Sequence, residues 1–453
     1  MNIENEIKNL PGEPNNPPKQ QKGLKSIASI KEEFYSRLLY KGEHDGVLTG
    51  VDKIDDSLRG LKGIVTLAGS PKAGKTTMAV QMCVGAHNIT EFKGAPVNDR
   101  TYILFYSLEL NQDAINEKIL AHLTEWNAGV TGFDIRFKGR KHLEDYAGVK
   151  GAEGEAPGGL SETQIKGLLE GERKRQSMNR FFIRTAEDGN IKGFETLRED
   201  IKMMKEFAAA DQAGEPENRY KTRYLVVIDH LQLFKIDPNE LTKNKITTTI
   251  ETENYLIAEF HRLQKETPEM VILLISQLNK TGMREPGNSA DSQMSNVKGS
   301  VNITYVSGTI ITMETKDVYA EDIKIDGFPW DGQKDGTGDK TEDGDKKTRL
   351  RKSYARLVAV SAVDRFTAGI DPTAFFLLNP QKQTFHFLAT GGTTSSPGER
   401  GKYGIIKSDV EELYKGLLPK NEIEKYGVKQ DKITKAIEEQ RALEEANRKK
   451  RSR

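Results

Sequence analysis

The chain has 453 residues, 68 basic against 67 acidic, and a formal net charge of +1, which excludes a globally basic nucleic-acid coat and confines any nucleic-acid contact to a local patch or channel. A single cysteine, Cys83, leaves no intramolecular disulfide to expect and fits a reducing compartment. Apolar runs such as 270–275 are too short to span a bilayer, and the polar residues 1–25 lack a signal-peptide core, so a cytoplasmic protein without a membrane partner is predicted.

In chain order, residues 1–25 read as a disordered arm. A helix is predicted within 26–47, opened by the capping box Ser29-Ile30-Lys31-Glu32, with Ile27, Ile30, Phe34 and Leu38 at helical spacing. Its apolar stripe fits docking on its own domain or on a neighbouring subunit. Residues 48–389 then alternate strands and helices. Strands are predicted at 63–67, 102–107, 181–184, 224–228, 271–276, 309–313, 357–361, 374–378 and 384–388. The early ones are continuous apolar runs, as for strands buried on both faces of a parallel sheet, and the last three are spaced like an antiparallel edge. The fold class is therefore α/β with a mostly parallel twisted sheet. Insertions at about 148–159 and 326–347 read as solvated, mobile loops, and 390–403 as a linker. The tail, 404–453, has helical patterns and ends in a basic run. It fits either a helix-turn-helix with Gly427-Val428 at the turn or a charged helical tail without DNA contact.

The chemistry is concentrated in Gly69-Ser70-Pro71-Lys72-Ala73-Gly74-Lys75-Thr76-Thr77, where a strand-like run ends and a helix-like run begins. This fits the phosphate-loop pattern G-x-x-x-x-G-K-[ST]. Its glycines let backbone N–H groups close round a polyphosphate. Lys75 is placed to reach the β- and γ-phosphates, and the Thr76 hydroxyl to ligate Mg²⁺. The apolar strand 224–228 ends in Asp229, a candidate second metal ligand. His230 follows, so the residue that orients the attacking water must come from elsewhere. Glu109, just beyond strand 102–107, is the candidate base. Gln277, ending strand 271–276, fits either a γ-phosphate sensor or a polar turn.

These motifs together resemble the ATPase domain of the DnaB-like hexameric replicative DNA helicases, whose core is a RecA-like P-loop fold. Thr49-Gly50-Val51-Asp52-Lys53-Ile54-Asp55 looks like the family's opening motif. Gly69 to Thr76, Ser107-Leu108-Glu109, Ile228-Asp229-His230-Leu231-Gln232-Leu233 and Ser276-Gln277-Leu278-Asn279-Lys280 follow in its order, and the likeness covers roughly 26–388. It implies Lys75 and Thr76 on phosphate and Mg²⁺, Glu109 as base, Asp229 on the metal and Gln277 as sensor. It also implies that the helix in 26–47 docks on an adjacent subunit of a ring, a hexamer in this family. Arg365, in Asp364-Arg365-Phe366, falls where the neighbour's finger belongs, although the family's usual lysine two residues earlier is Val363 here. Ser295-Asn296-Val297-Lys298-Gly299-Ser300 resembles the pore segment, with Lys298, and less directly Lys280 and Arg284, expected on single-stranded DNA. The expected function is ATP-driven translocation and unwinding during replication, with a primase or a helicase loader as further partner. The alternative is a RecA- or KaiC-like ATPase switch or recombination protein that does not unwind. Replicative members carry an N-terminal collar. Only the arm precedes the helix here, so the likeness is to the compact helicases of mobile elements or phages.

Overall fold

The computed structural model describes residues 44–124, 162–188, 193–215, 220–277, 303, 306–316, 330–331, 349–350, 356–365, 367, 369–379 and 383–390. Residues 26–43 of the predicted 26–47 helix region, the 148–159 insertion, the linker from 391 to 403 and the tail lie outside them, as do Lys280, Arg284 and Lys298; Thr390, read as the start of the linker, instead ends β13.

All the elements belong to one unit, Gly46–Arg453. They run α1 (Asp52–Leu58), β1 (Ile64–Gly69), α2 (Lys75–Asn88), β2 (Glu91–Phe92), β3 (Ala95–Pro96), β4 (Asp99–Ser107), α3 (Gln112–Leu123), α4 (Glu162–Gln176), β5 (Phe181–Thr185), α5 (Phe194–Gly214), β6 (Lys221–Asp229), α6 (Pro238–Lys243), α7 (Thr249–Glu266), β7 (Met270–Gln277), β8 (Thr309–Lys316), β9 (Trp330–Asp331), β10 (Arg349–Leu350), β11 (Arg356–Asp364), β12 (Ile370–Asn379) and β13 (Thr384–Thr390). The main sheet has nine strands in the order β13-β12-β11-β8-β1-β7-β6-β4-β5. β8, β1, β7, β6, β4 and β5 are mutually parallel, and β11, β12 and β13 add antiparallel at one edge. Both halves of the sheet agree with the sequence reading. The 326–347 insertion departs from it: Trp330–Asp331 pairs antiparallel with Arg349–Leu350, so a short ladder of backbone bonds interrupts a stretch read as loop.

The strands read as unbroken apolar runs because each face of the sheet carries its own core. Val65, Leu67, Ile103, Phe105, Leu225, Val227, Leu273 and Ile275 pack on one side with α1, α2 and α3. Ile64, Ala68, Tyr102, Leu104, Tyr106, Tyr224, Val226, Ile228, Ile272 and Leu274 pack on the other with α5 and α7. The assignments alternate residue by residue, as the period-2 geometry of a strand requires. α7 starts with a capping box, Thr248 with Glu251, which satisfies two N–H groups at its first turn.

The opening motif clamps the start of the domain. Asp55 is buried and accepts from the Thr49 and Gly50 N–H groups and the Thr49 hydroxyl at 2.8–3.0 Å. The loop it holds lies on α2 so closely that a Cβ at Gly85 would stand 2.0 Å from the Thr49 carbonyl oxygen. Gly85→Ala must therefore push α2 off this loop. We expect a loss of about 1–3 kcal/mol, in the range of overpacked cores, read by denaturant or thermal unfolding. Burial also raises the Asp55 carboxyl to about 7 from its ordinary 3.8. Within that window the folded state holds more protons than the unfolded, so stability falls as pH rises through it. The melting temperature of Asp55→Asn should lose that part of the slope, and an unchanged slope would show that Asp55 titrates normally.

Candidate active site

Four parallel strands deliver the predicted residues to one edge. Gly69 of β1 pairs in register with Gln277 of β7, and Ser107 of β4 with Asp229 of β6. The Leu108 N–H donates to the Asp229 carbonyl at 2.6 Å, carrying the β4 exit, and with it Glu109, towards the end of β6. β1 lies between β7 and β8, the point where the strand order turns back and where open α/β sheets bind ligands.

The phosphate loop is held without room to spare. Gly74 has a φ of 85°, and a Cβ there would meet the side chains of Leu378 and Phe385 at 2.8 Å. One at Gly69 would meet the Met313 carbonyl oxygen at the same distance. Ser70 N–H donates to that carbonyl at 3.2 Å. β8 and β12–β13 thus wall the loop, and it leads directly into the N-terminus of α2, where free N–H groups and the helix dipole favour an anion.

The Lys75 ammonium donates to the Gly69 and Ser70 carbonyls at 3.0 and 3.1 Å. Burial pulls its pKa below the usual lysine value, opposed by the charges of Asp229 and Glu109. Asp229 is 1% exposed, and neither carboxylate oxygen has a hydrogen-bond partner of normal geometry. Burial raises it to about 6, with the charge of Glu109 adding to the rise; the nearby Thr76 hydroxyl and the charges of Lys75 and Lys118 act the other way. Glu109 is exposed, and its charge acts on both Lys75 and Asp229. The loop, Lys75, Thr76, Glu109, Asp229 and Gln277 are therefore brought to one place.

A buried, unpartnered carboxylate beside a threonine hydroxyl fits a divalent cation. Among the described residues no group of three or more His, Cys, Asp or Glu assembles a metal cage. The chemistry suits Mg²⁺, which keeps most of its waters and takes one or two protein ligands together with phosphate oxygens. Thr76 and Asp229 are the residues that would hold it, and its contribution when bound would be neutralisation of phosphate charge.

Arg365 lies elsewhere. Its N–H donates to the Gly308 carbonyl at 2.9 Å, and Asp364 pairs with Thr309, the first residue of β8. The loop meets β8 at Met313, four residues further along, or roughly 13 Å at strand rise. That is farther than an arginine side chain reaches, so Arg365 cannot serve the phosphate loop of its own chain. Val363 is half-buried beside Ile310.

Several residues at the site carry no motif. The Lys118 ammonium on α3 donates to Gln383 Oε1 at 2.6 Å and lies 3.4 Å from the Thr77 hydroxyl, which itself donates to Gln383 at 2.9 Å. The Arg356 guanidinium donates to the Lys72 carbonyl at 2.9 Å. Gln277 Nε2 stands 3.0 Å from His230 Nε2. The register explains this last contact: Ile228 pairs with Leu274, so His230 runs level with Ser276 and its ring reaches one residue on. Of these, only the His230 contact had a signal in sequence, its place directly after Asp229.

No protein-family model matches the sequence, and no curated protein matches it. Solved structures do. One, described as an ATPase domain, aligns with a TM-score of 0.50 and 16% identity over 80% of this chain and 99% of that one. Another, described as a DnaB-like replicative helicase and its interactions with primase, aligns with a TM-score of 0.50 and 15% identity over 80% of this chain and 68% of that one. The phosphate loop, the six parallel strands and the antiparallel edge of this chain thus share the fold of these two structures, an ATPase domain and a DnaB-like replicative helicase.

Proposed function

We propose that the protein is an ATP-hydrolysing, ring-forming DNA helicase that translocates on single-stranded DNA and unwinds duplex during replication. The observation that carries the ATPase reading is Asp229, a carboxylate buried with both oxygens unpartnered, beside Thr76, Lys75 and Glu109 at the mouth of a phosphate loop. Such a group is costly to bury and is satisfied by a cation–phosphate complex. Support for the helicase reading comes from the fold and from the order of the motifs.

In this reading the loop N–H groups and Lys75 hold the β- and γ-phosphates of ATP, while Thr76 and Asp229 hold Mg²⁺. Glu109 takes a proton from the attacking water as its oxygen adds to the γ-phosphorus and the bond to the β–γ bridging oxygen breaks. Gln277, steadied by His230, hydrogen-bonds the γ-phosphate and loses that partner on hydrolysis. Arg365 completes the site of the adjacent subunit, its guanidinium offsetting charge on the transferring group. The helix in 26–47 packs on a neighbouring subunit, and Lys298, with Lys280 and Arg284, contacts the DNA backbone; a primase or loader is a further partner. Among the described residues no helix is long and apolar enough to cross a membrane.

ATP turnover should rise when single-stranded DNA is added. Lys75→Ala should lower the rate by about 10²-fold or more through lost phosphate binding, and Glu109→Gln by about 10²–10⁴-fold with ATP still bound. A steady-state ATPase assay with nucleotide-binding measurements separates the two effects. Strand displacement from a forked duplex discriminates against a switch or recombination ATPase, since DNA-stimulated turnover without unwinding would sink the helicase reading.

The placement of Arg365 gives a second test. Glu109→Gln and Arg365→Ala proteins should each be nearly inactive, yet mixing them should restore ATPase activity, because mixed rings contain interfaces with an intact Glu109 and an intact Arg365. No recovery on mixing, with assembly verified, would show that Arg365 is not a trans-acting group.

A further inference from the structure

Arg365 is exposed, and the turn that carries it from β11 to β12 is fastened by groups that take no part in the phosphate loop. Asp364, half-buried at the end of β11, accepts from two hydroxyls. Thr309 donates to its Oδ1, and Thr367 to its Oδ2 at 2.7 Å. The Thr367 oxygen accepts in turn from the Gly369 N–H at 3.1 Å. One carboxylate thus ties together the outgoing limb of the turn, the returning limb and the first residue of β8. An ionised carboxylate offers acceptors only, and its bonds to hydroxyls are roughly twice as strong as neutral ones.

The returning limb has no slack. Gly369 has a φ of 72°, and a Cβ there would stand 2.2 Å from the Ala362 carbonyl oxygen, so β12 turns back against β11 with only a glycine's clearance. The backbone of Arg365 is anchored as well. Its N–H donates to the Gly308 carbonyl, and the Gly308 N–H donates to the Ile64 carbonyl at 2.8 Å. Beside them the buried hydroxyls of Ser307 and Thr66 bond each other at 2.8 Å. Arg365 is therefore footed on the start of β1, whose other end opens into the phosphate loop.

We infer that Asp364 is a positioning residue for Arg365: its carboxylate holds still the turn from which the guanidinium reaches the nucleotide of an adjacent subunit. This deepens the proposed function and rests on the trans role of Arg365 in it. Charge on a transferring phosphoryl group is offset best by a donor that is already in place. A displacement of about 1 Å, caused far from the chemistry, can cost about 10²-fold in rate. Asp364 touches no reacting atom, so its loss acts through Arg365.

The test mixes full-length variants and reads steady-state ATPase turnover with single-stranded DNA present, with ring assembly and melting temperature checked for each. Glu109→Gln with Arg365→Ala is the reference pair. Asp364→Ala should lower turnover roughly 10- to 100-fold. Asp364→Asn keeps an oxygen for one threonine and offers an amide to the other, and should stay within about threefold of wild type. Mixing then assigns the defect to one side of the subunit interface. Asp364→Ala should regain activity with Glu109→Gln, because such rings contain interfaces with an intact Glu109 and an intact finger turn. It should regain none with Arg365→Ala, which is defective on the same side. A general loss of structure would not sort in this way. If Asp364→Ala fails to fold, Thr367→Val, which removes a single hydroxyl, should lower turnover about threefold or more and show the same pattern.

Three results each overturn the inference. One is recovery of the reference pair without recovery of Asp364→Ala mixed with Glu109→Gln. Another is recovery of Asp364→Ala mixed with Arg365→Ala. The third is Asp364→Ala turnover within about threefold of wild type. No recovery of the reference pair overturns the trans role of Arg365, and this inference with it.

Discussion

The site depends on how closely the phosphate loop is packed. Its two glycines meet Met313 of β8 and the Leu378–Phe385 pair of β12–β13 at distances that leave no space for a methyl group. The loop is consequently shaped by strands that follow it by more than 200 residues, and the antiparallel edge has a definite task. It walls the loop, and the Gln81 side chain fastens α2 to it through the Phe385 N–H and carbonyl at 2.8 and 3.1 Å. Backbone N–H groups can surround a polyphosphate only if the backbone itself is held still, and close packing on both sides provides that.

Electrostatically the site is a set of charges that do not satisfy one another. Lys75 spends its donors on loop carbonyls, while Asp229 keeps two bare oxygens a short distance away. Glu109, Lys118 and Lys75 all act on Asp229, with opposing signs. A pair optimised for stability alone would have closed into a direct hydrogen-bonded bridge. Leaving both ends open keeps a lysine for phosphate and a carboxylate for a cation, at a cost in burial that the surrounding core supports.

The sheet was legible because both of its faces are buried. That produces the apolar runs seen in β1, β4, β6 and β7, and the last three end at Ser107, Asp229 and Gln277, polar residues that mark the edge. Lys75, Thr76 and Asp229 were legible for a related reason: the first two open the helix that a short loop joins to β1, and Asp229 ends β6. Lys118, Arg356 and Gln383 were not. Their roles come from register and packing, and an α3 lysine or a β11 arginine looks like any solvated side chain until the fold brings it to the loop. The β9–β10 ladder escaped notice because two-residue strands carry no period, and backbone pairing at Trp330–Asp331 leaves no mark on a Gly/Asp/Lys-rich stretch.

The register of β11 on β8 limits what Arg365 can reach. The finger assignment began as a likeness in sequence, with the neighbouring lysine replaced by Val363. The register of β11 on β8 then turns Arg365 to the edge opposite the phosphate loop, while the other end of the same strand puts Arg356 beside Lys72. One strand therefore presents an arginine at each edge of the sheet. The near one lies against its own chain's loop, and the far one is out of that loop's reach. Val363, half-buried and level with Ile310, belongs to the sheet, and basic groups close to the loop come from Arg356 and Lys118 of the same chain.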